Sequence, residues 1–159
     1  CSLHHREAFP GTGWADDVGE GPGRGYTLNA PLAAGCTVSD YLAVLSRVVS
    51  PVIEDFGPGL LVISCGLDAL EDDPHGVMAL CPRDYAALVT AVRNLSPPAL
   101  ALVLEGGYGP SIGHAVKEIF YALSRSREDP YRTERDLEGN GPVRSSTRDL
   151  IRLLCRLHR

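Results

Sequence analysis

Two stretches of this chain carry side chains that could do chemistry. Cys65-Gly66-Leu67-Asp68-Ala69-Leu70-Glu71-Asp72-Asp73-Pro74 follows one run of apolar, β-favouring residues, and Leu104-Glu105-Gly106-Gly107-Tyr108 ends another. Asp68 lies four residues past Ser64, the last residue of the first run. A carboxylate there is costly unless it meets a cation or several donors. Its oxygen suits zinc and harder metals. The plain alternative is an Asp that caps a helix or stabilises a turn. Tyr108 follows two glycines, which let a backbone pass close to a ligand or take positive φ. A phenol held over such a loop could donate a hydrogen bond to a developing oxyanion. The plain alternative is a tyrosine packed on the surface. Neither glycine-rich phosphate fingerprint is present. Asp72 and Asp73 read as solvated or capping residues, with Asp73-Pro74 opening a turn.

Other polar residues carry less. His4 and His5 are adjacent, and on an extended segment they point to opposite faces, so one ion does not easily take both. At least one of them is expected to be structural. His75, His114 and His158 are isolated, and spacing assigns them nothing.

The elements that must position these residues alternate. Residues 1–3 read as the end of a strand, 4–24 as a long loop, and 25–29 as a short extended piece. Thr37 with Asp40 forms a capping pattern before a helix. That helix has an apolar face of Tyr41, Leu42, Leu45, Val48, Val49, Val52, Ile53 and Phe56. Pro51 is expected to kink or break it near Ser50. Leu60–Ser64 and Leu100–Leu104 read as buried strands. Helices are expected at about 83–95 and 111–124. The pattern predicts an α/β fold, a parallel sheet with helices on both faces. Ligands in such sheets gather beyond the carboxyl ends of the strands, which puts the loops at Ser2-Leu3-His4, Asp68 and Tyr108 on one rim. Residues 125–146 read as a polar linker. Thr147–His158 reads as an amphipathic helix, either docked, partner-binding or an extension particular to this chain.

Composition bounds the possibilities. The chain has 159 residues, 44% apolar and 22% charged, enough for one domain with a sizeable core. No apolar run approaches the roughly 20 residues that span a bilayer, and no membrane partner is expected. Residues 1–123 hold 6 basic and 14 acidic side chains, whereas 124–159 hold 9 and 6. An acidic body argues against direct nucleic-acid binding. Five scattered cysteines with no C-x-x-C pair argue for reduced thiols inside a cell, in cytoplasm, nucleus or an organelle.

In family order, the chain contains Ser2-Leu3-His4, Phe9-Pro10-Gly11-Thr12-Gly13, and Asp17-Val18-Gly19-Glu20-Gly21-Pro22-Gly23-Arg24-Gly25. Asn29-Ala30-Pro31-Leu32, Gly66-Leu67-Asp68 with Asp73-Pro74, and Leu104-Glu105-Gly106-Gly107-Tyr108 follow. This ordered set resembles the C-terminal part of the catalytic domain of the histone deacetylase superfamily, closest to its class II type. The resemblance covers residues 1–124 and implies the arginase–deacetylase three-layer fold, incomplete at its N-terminal side. It implies a zinc-dependent hydrolase of linear amide C–N bonds acting on acetylated lysine in histones or other proteins, or on acetylated small amines. It implies that Tyr108 polarises the acetyl carbonyl and Asp68 is a zinc ligand. Ser2 and Leu3 would hold a structural potassium ion, and the Tyr26 backbone would lie near a second. Phe9, His75 and Gly107 would line the substrate channel. In the family, zinc activates a water and paired histidines shuttle protons.

The chain also departs from the family. The tandem histidines and the Asp-x-His ligand pair are expected upstream of Ser2, so this chain is expected to be a fragment, inactive alone. His75 stands where a small apolar residue is usual. The 40 residues from Asp68 to Tyr108 form a slightly short interval. The competing expectation is a non-catalytic interaction module with an open sheet edge.

Overall fold

The computed structural model describes residues 1–124 and 141–158. Four short strands pair in parallel, two by two. β1 (Ser2–His5) lies beside β2 (Asn29–Leu32), and β3 (Leu61–Cys65) beside β4 (Leu100–Leu104). The helices are α1 (Val38–Val44), α2 (Ser50–Phe56), α3 (Pro82–Asn94), α4 (Ile112–Ser124) and α5 (Ser145–Leu157). A parallel pair needs a long crossover. The loop after β1 supplies one, and α3 carries the other. Among the described residues the two pairs are not hydrogen-bonded to each other.

The second strand begins where the expected extended piece ends, and it contains Pro31. A proline cannot donate to a ladder. Here it does not need to. Ser2 N–H donates to Leu28 O and Arg6 N–H to Leu32 O, so the even-numbered residues of this stretch face β1 and Pro31 N points away.

Pro51 does not break the helix begun at Thr37. The backbone widens into a π-helical turn over Leu45–Val49 and runs on as α2. Pro51 has no N–H for the carbonyl of Arg47 one turn back. The Cys155 thiol, from α5, donates to that carbonyl at 3.7 Å. The cap at Thr37 is as expected, with Thr37 N–H donating to Asp40 Oδ2 at 3.1 Å. Gly57 ends α2 in the left-handed region, φ 58°, which suits glycine.

The core gathers Leu32, Val44, Leu67, Leu70, Leu80 and Leu154, all fully buried. Ile63, Cys65 and Leu102 pack on it from β3 and β4. The apolar runs predict burial on both faces. Instead Val62 and Val103 are exposed, because the pleat sends alternate side chains to the opposite side and no described helix covers it.

The last helix is docked. It starts at Ser145, two residues before the expected start, and packs on β2, α1 and the π-helical turn. Thr147, Ile151 and Leu154 are its buried side chains. Gly141 N–H donates to Ser39 Oγ at 3.1 Å and Arg144 N–H to Asp40 Oδ1 at 2.9 Å. Residues 141–146 of the expected linker are therefore anchored structure, and 125–140 lie outside the described residues.

Candidate active site

The loops beyond β3 and β4 form one unit. The ladder continues past the strand ends: Glu105 N–H donates to Cys65 O at 3.2 Å, and Leu67 N–H to Gly106 O at 2.6 Å. Gly107 sits at φ +127°, and a Cβ there would lie 2.7 Å from Leu67 Cβ. Only glycine lets the two loops meet so closely.

The Asp68 carboxylate rests over this junction. A Cβ on Gly66 would lie 3.2 Å from its Oδ1, and one on Gly106 3.8 Å from its Oδ2. The side chain is exposed, and among the described residues nothing donates to it. Two buried phenols feel its charge. Burial chiefly, with Asp68 among the nearby charges, pushes the Tyr41 and Tyr85 hydroxyls well above the usual tyrosine range, so both stay neutral. Tyr108 is 70% exposed and begins two residues past Gly106. The structure thus brings Asp68 and Tyr108 onto adjoining loops at one rim.

The residue that fixes Tyr108 is one the sequence reading assigned to solvent or a cap. Asp73 is only 5% exposed. Its Oδ2 accepts the Tyr108 N–H at 2.6 Å, and its Oδ1 accepts the His75 N–H at 2.8 Å. Burial alone would raise its carboxyl. The N–H groups of Tyr108, His75, Gly76 and Gly109 outweigh that and hold it below the usual carboxylate range. Its neighbour Asp72 accepts the Ser111 N–H at 3.1 Å, just before α4. The signal in the sequence was a pair of carboxylates between two glycine-bearing loops. Their partners lie 35 and 39 residues away, beyond the reach of any local pattern.

His75 meets Tyr108 edge to face, ring centroids 5.6 Å apart at 86°. Spacing assigned this histidine nothing; the contact puts it beside the phenol. His4 is structural, as expected of at least one histidine of its pair. Its Nε2 donates to Gly13 O at 3.0 Å, and its Nδ1 lies 2.8 Å from the Ser2 hydroxyl. Ser2 and Leu3 lie in β1. Tyr26 is exposed and meets Phe56 edge to face at 6.2 Å. Phe9 is 98% exposed, and among the described residues no ring contact or hydrogen bond joins it to the Asp68 and Tyr108 loops.

A zinc site takes three or four protein donors. Among the described residues no three His, Cys, Asp or Glu side chains come together to hold a metal. Asp68 fits one position of such a site and cannot complete it. An open crevice of about 700 Å³ lies elsewhere, between Trp14, Asp16, Leu32, Leu150 and Leu153, and neither Asp68 nor Tyr108 lines it.

With two strand-end loops joined and a carboxylate and a phenol on their rim, comparison with known proteins decides the family. A histone deacetylase domain model matches residues 1–123. The chain belongs to the histone deacetylase family. The chain is 42% identical over 113 residues to histone deacetylase clr3 of Schizosaccharomyces pombe, covering 67% of this chain and 16% of that protein. It is 36% identical over 125 residues to the polyamine deacetylase HDAC10 of Danio rerio, covering 76% of this chain and 18% of that protein. The solved structure of the histone deacetylase Clr3 superimposes with a TM-score of 0.80 at 30% identity, over 98% of this chain and 26% of that one. The chain therefore spans well under half the length of these relatives. The strands and helices have the parallel α/β character of that fold.

Proposed function

We propose that the protein containing this chain is a zinc-dependent amidohydrolase that removes acetyl groups from lysine side chains of histones or other proteins. The observation that carries the reading is the junction of the Asp68 and Tyr108 loops, with a free carboxylate on one and an exposed phenol on the other. Family membership supports it. Hydrolysis breaks the amide C–N bond: a water oxygen adds to the acetyl carbon, and acetate and the free amine leave. Negative charge develops on the carbonyl oxygen, and the Tyr108 hydroxyl donates a hydrogen bond to it there. Asp68 would hold zinc together with donors from outside the described residues. Bound zinc would supply Lewis acidity and a more acidic water. His75 and Gly107 flank Tyr108 and would line the approach of the acyl chain, with Phe9 as a further wall. Ser2, Leu3 and the Tyr26 backbone would hold potassium ions that stiffen the fold. The setting of this reading is the interior of a cell, in cytoplasm, nucleus or an organelle.

A second reading is deacetylation of acetylated polyamines. The similarity to a polyamine deacetylase favours it, as does a polar imidazole beside the phenol.

In the whole protein, Tyr108→Phe is expected to lower kcat on an acetyl-lysine peptide by about 10²–10³-fold with bound zinc unchanged. Asp68→Ala is expected to lower both turnover and zinc stoichiometry. Unchanged turnover in Tyr108→Phe would remove the oxyanion role. Parallel assays on an acetyl-lysine peptide and an acetylpolyamine choose between the two readings.

A further inference from the structure

One buried carboxylate serves both rings at the rim. Asp73 bonds the backbone of Tyr108 through one oxygen and that of His75 through the other, and the two rings meet edge to face. Gly76 N–H donates to the Asp73 main-chain carbonyl at 3.2 Å, which ties down the residue after His75 as well. Beside it, a Cβ on Gly109 would lie 2.7 Å from Asp72 Oδ1, which leaves the segment after Tyr108 little room to shift. The exposed ring of Tyr108 has few contacts of its own to set its place. Its backbone is therefore the part that is held, and Asp73 is what holds it.

We infer that Asp73 is a positioning residue that sets the Tyr108 phenol and the His75 imidazole at a fixed separation, so that one group governs both turnover and acyl-substrate preference. The inference rests on the proposed role of Tyr108. Asp73 does not touch the reacting atoms. It acts through Tyr108, where a misplacement of about 1 Å can cost on the order of 10²-fold.

The test uses the whole protein with Asp73→Ser, Asp73→Asn and Tyr108→Phe, and each Asp73 variant combined with Tyr108→Phe. Readouts are kcat and KM on an acetyl-lysine peptide and an acetylpolyamine, and amide hydrogen exchange at Tyr108 and His75. Asp73→Ser is expected to lower kcat about tenfold or more with KM within about twofold. It is also expected to narrow the difference between the two substrates and to speed exchange at both amides. Asp73→Asn keeps one acceptor oxygen and should recover part of the loss; if the serine variant does not fold, the asparagine variant carries every comparison. On the Tyr108→Phe background neither change should cost more than about twofold. Multiplying losses in the double variants, unchanged kcat, or amides as protected as in the parent would overturn the inference. If Tyr108→Phe itself leaves turnover unchanged, the deacetylase reading fails, and exchange at the two amides alone decides whether Asp73 holds the loops.

Discussion

At Asp73 a carboxylate is buried without a cation and yet is stabilised in its charged form. Backbone N–H groups do the work of a counter-charge, because several dipoles converge on two oxygens. The consequence for stability has a definite sign. The folded carboxyl titrates below its unfolded value of about 3.9, so the native state favours the ionised form. That contribution is fully present above the ordinary carboxylate value and is lost as pH falls through the lower, folded one. The stability difference between the parent and Asp73→Asn is therefore expected to be constant from pH 7 to about 5 and to shrink below about pH 4. Urea melts at stepped pH measure it; a difference that grew on acidification would contradict the assignment. At this scale the sequence showed an Asp-Pro turn and nothing of the clamp. Whether an Asp faces water or the amides of Tyr108 and His75 depends on what the fold places over it.

Among the elements, α5 was the least defined from sequence and is firmly placed in the structure. Its apolar stripe was legible, because Leu150, Ile151 and Leu154 recur at helical spacing. Its dock was not, since the acceptor for its entry is Asp40, a residue 104 positions away. Asp40 has two tasks: it caps α1 through Thr37 and receives Arg144. The guanidinium of Arg144 also lies 4.0 Å from it, a partly exposed pair worth little by itself. The weight of the dock is in packing. Leu154 is fully buried, and Leu154→Ala is expected to cost about 2–5 kcal/mol, read as a lower urea midpoint at unchanged slope. Leu153→Ala, on the exposed side of the same helix, is expected to change stability by less than about 1 kcal/mol. A similar loss from both would mean that the face of α5 is misassigned. The π-helical turn is a second case of distant rescue: Pro51 predicts a kink or a break, and a thiol from α5 meets the Arg47 carbonyl.

For the molecule as a whole, the described residues bring one free carboxylate, that of Asp68, to the rim and no group of three donors that could hold a metal. The 159-residue chain by itself is therefore expected to show no acetyl-lysine turnover above background at saturating zinc, while the whole protein turns over under the same conditions. Measurable turnover by the isolated chain would sink the proposal that further donors complete the site. The order of strands and helices, the parallel pairing, the capping at Thr37 and the common rim of the Asp68 and Tyr108 loops were all readable from the chain, because each depends on neighbours a few positions apart or on motifs kept in order. The burial of Asp73, the pairing of His75 with a phenol and the seat of α5 were decided only by tertiary structure. Each of these joins residues 33 to 104 positions apart in the chain, and a hydrogen bond or a ring contact across such a distance exists only once packing has brought its two ends together.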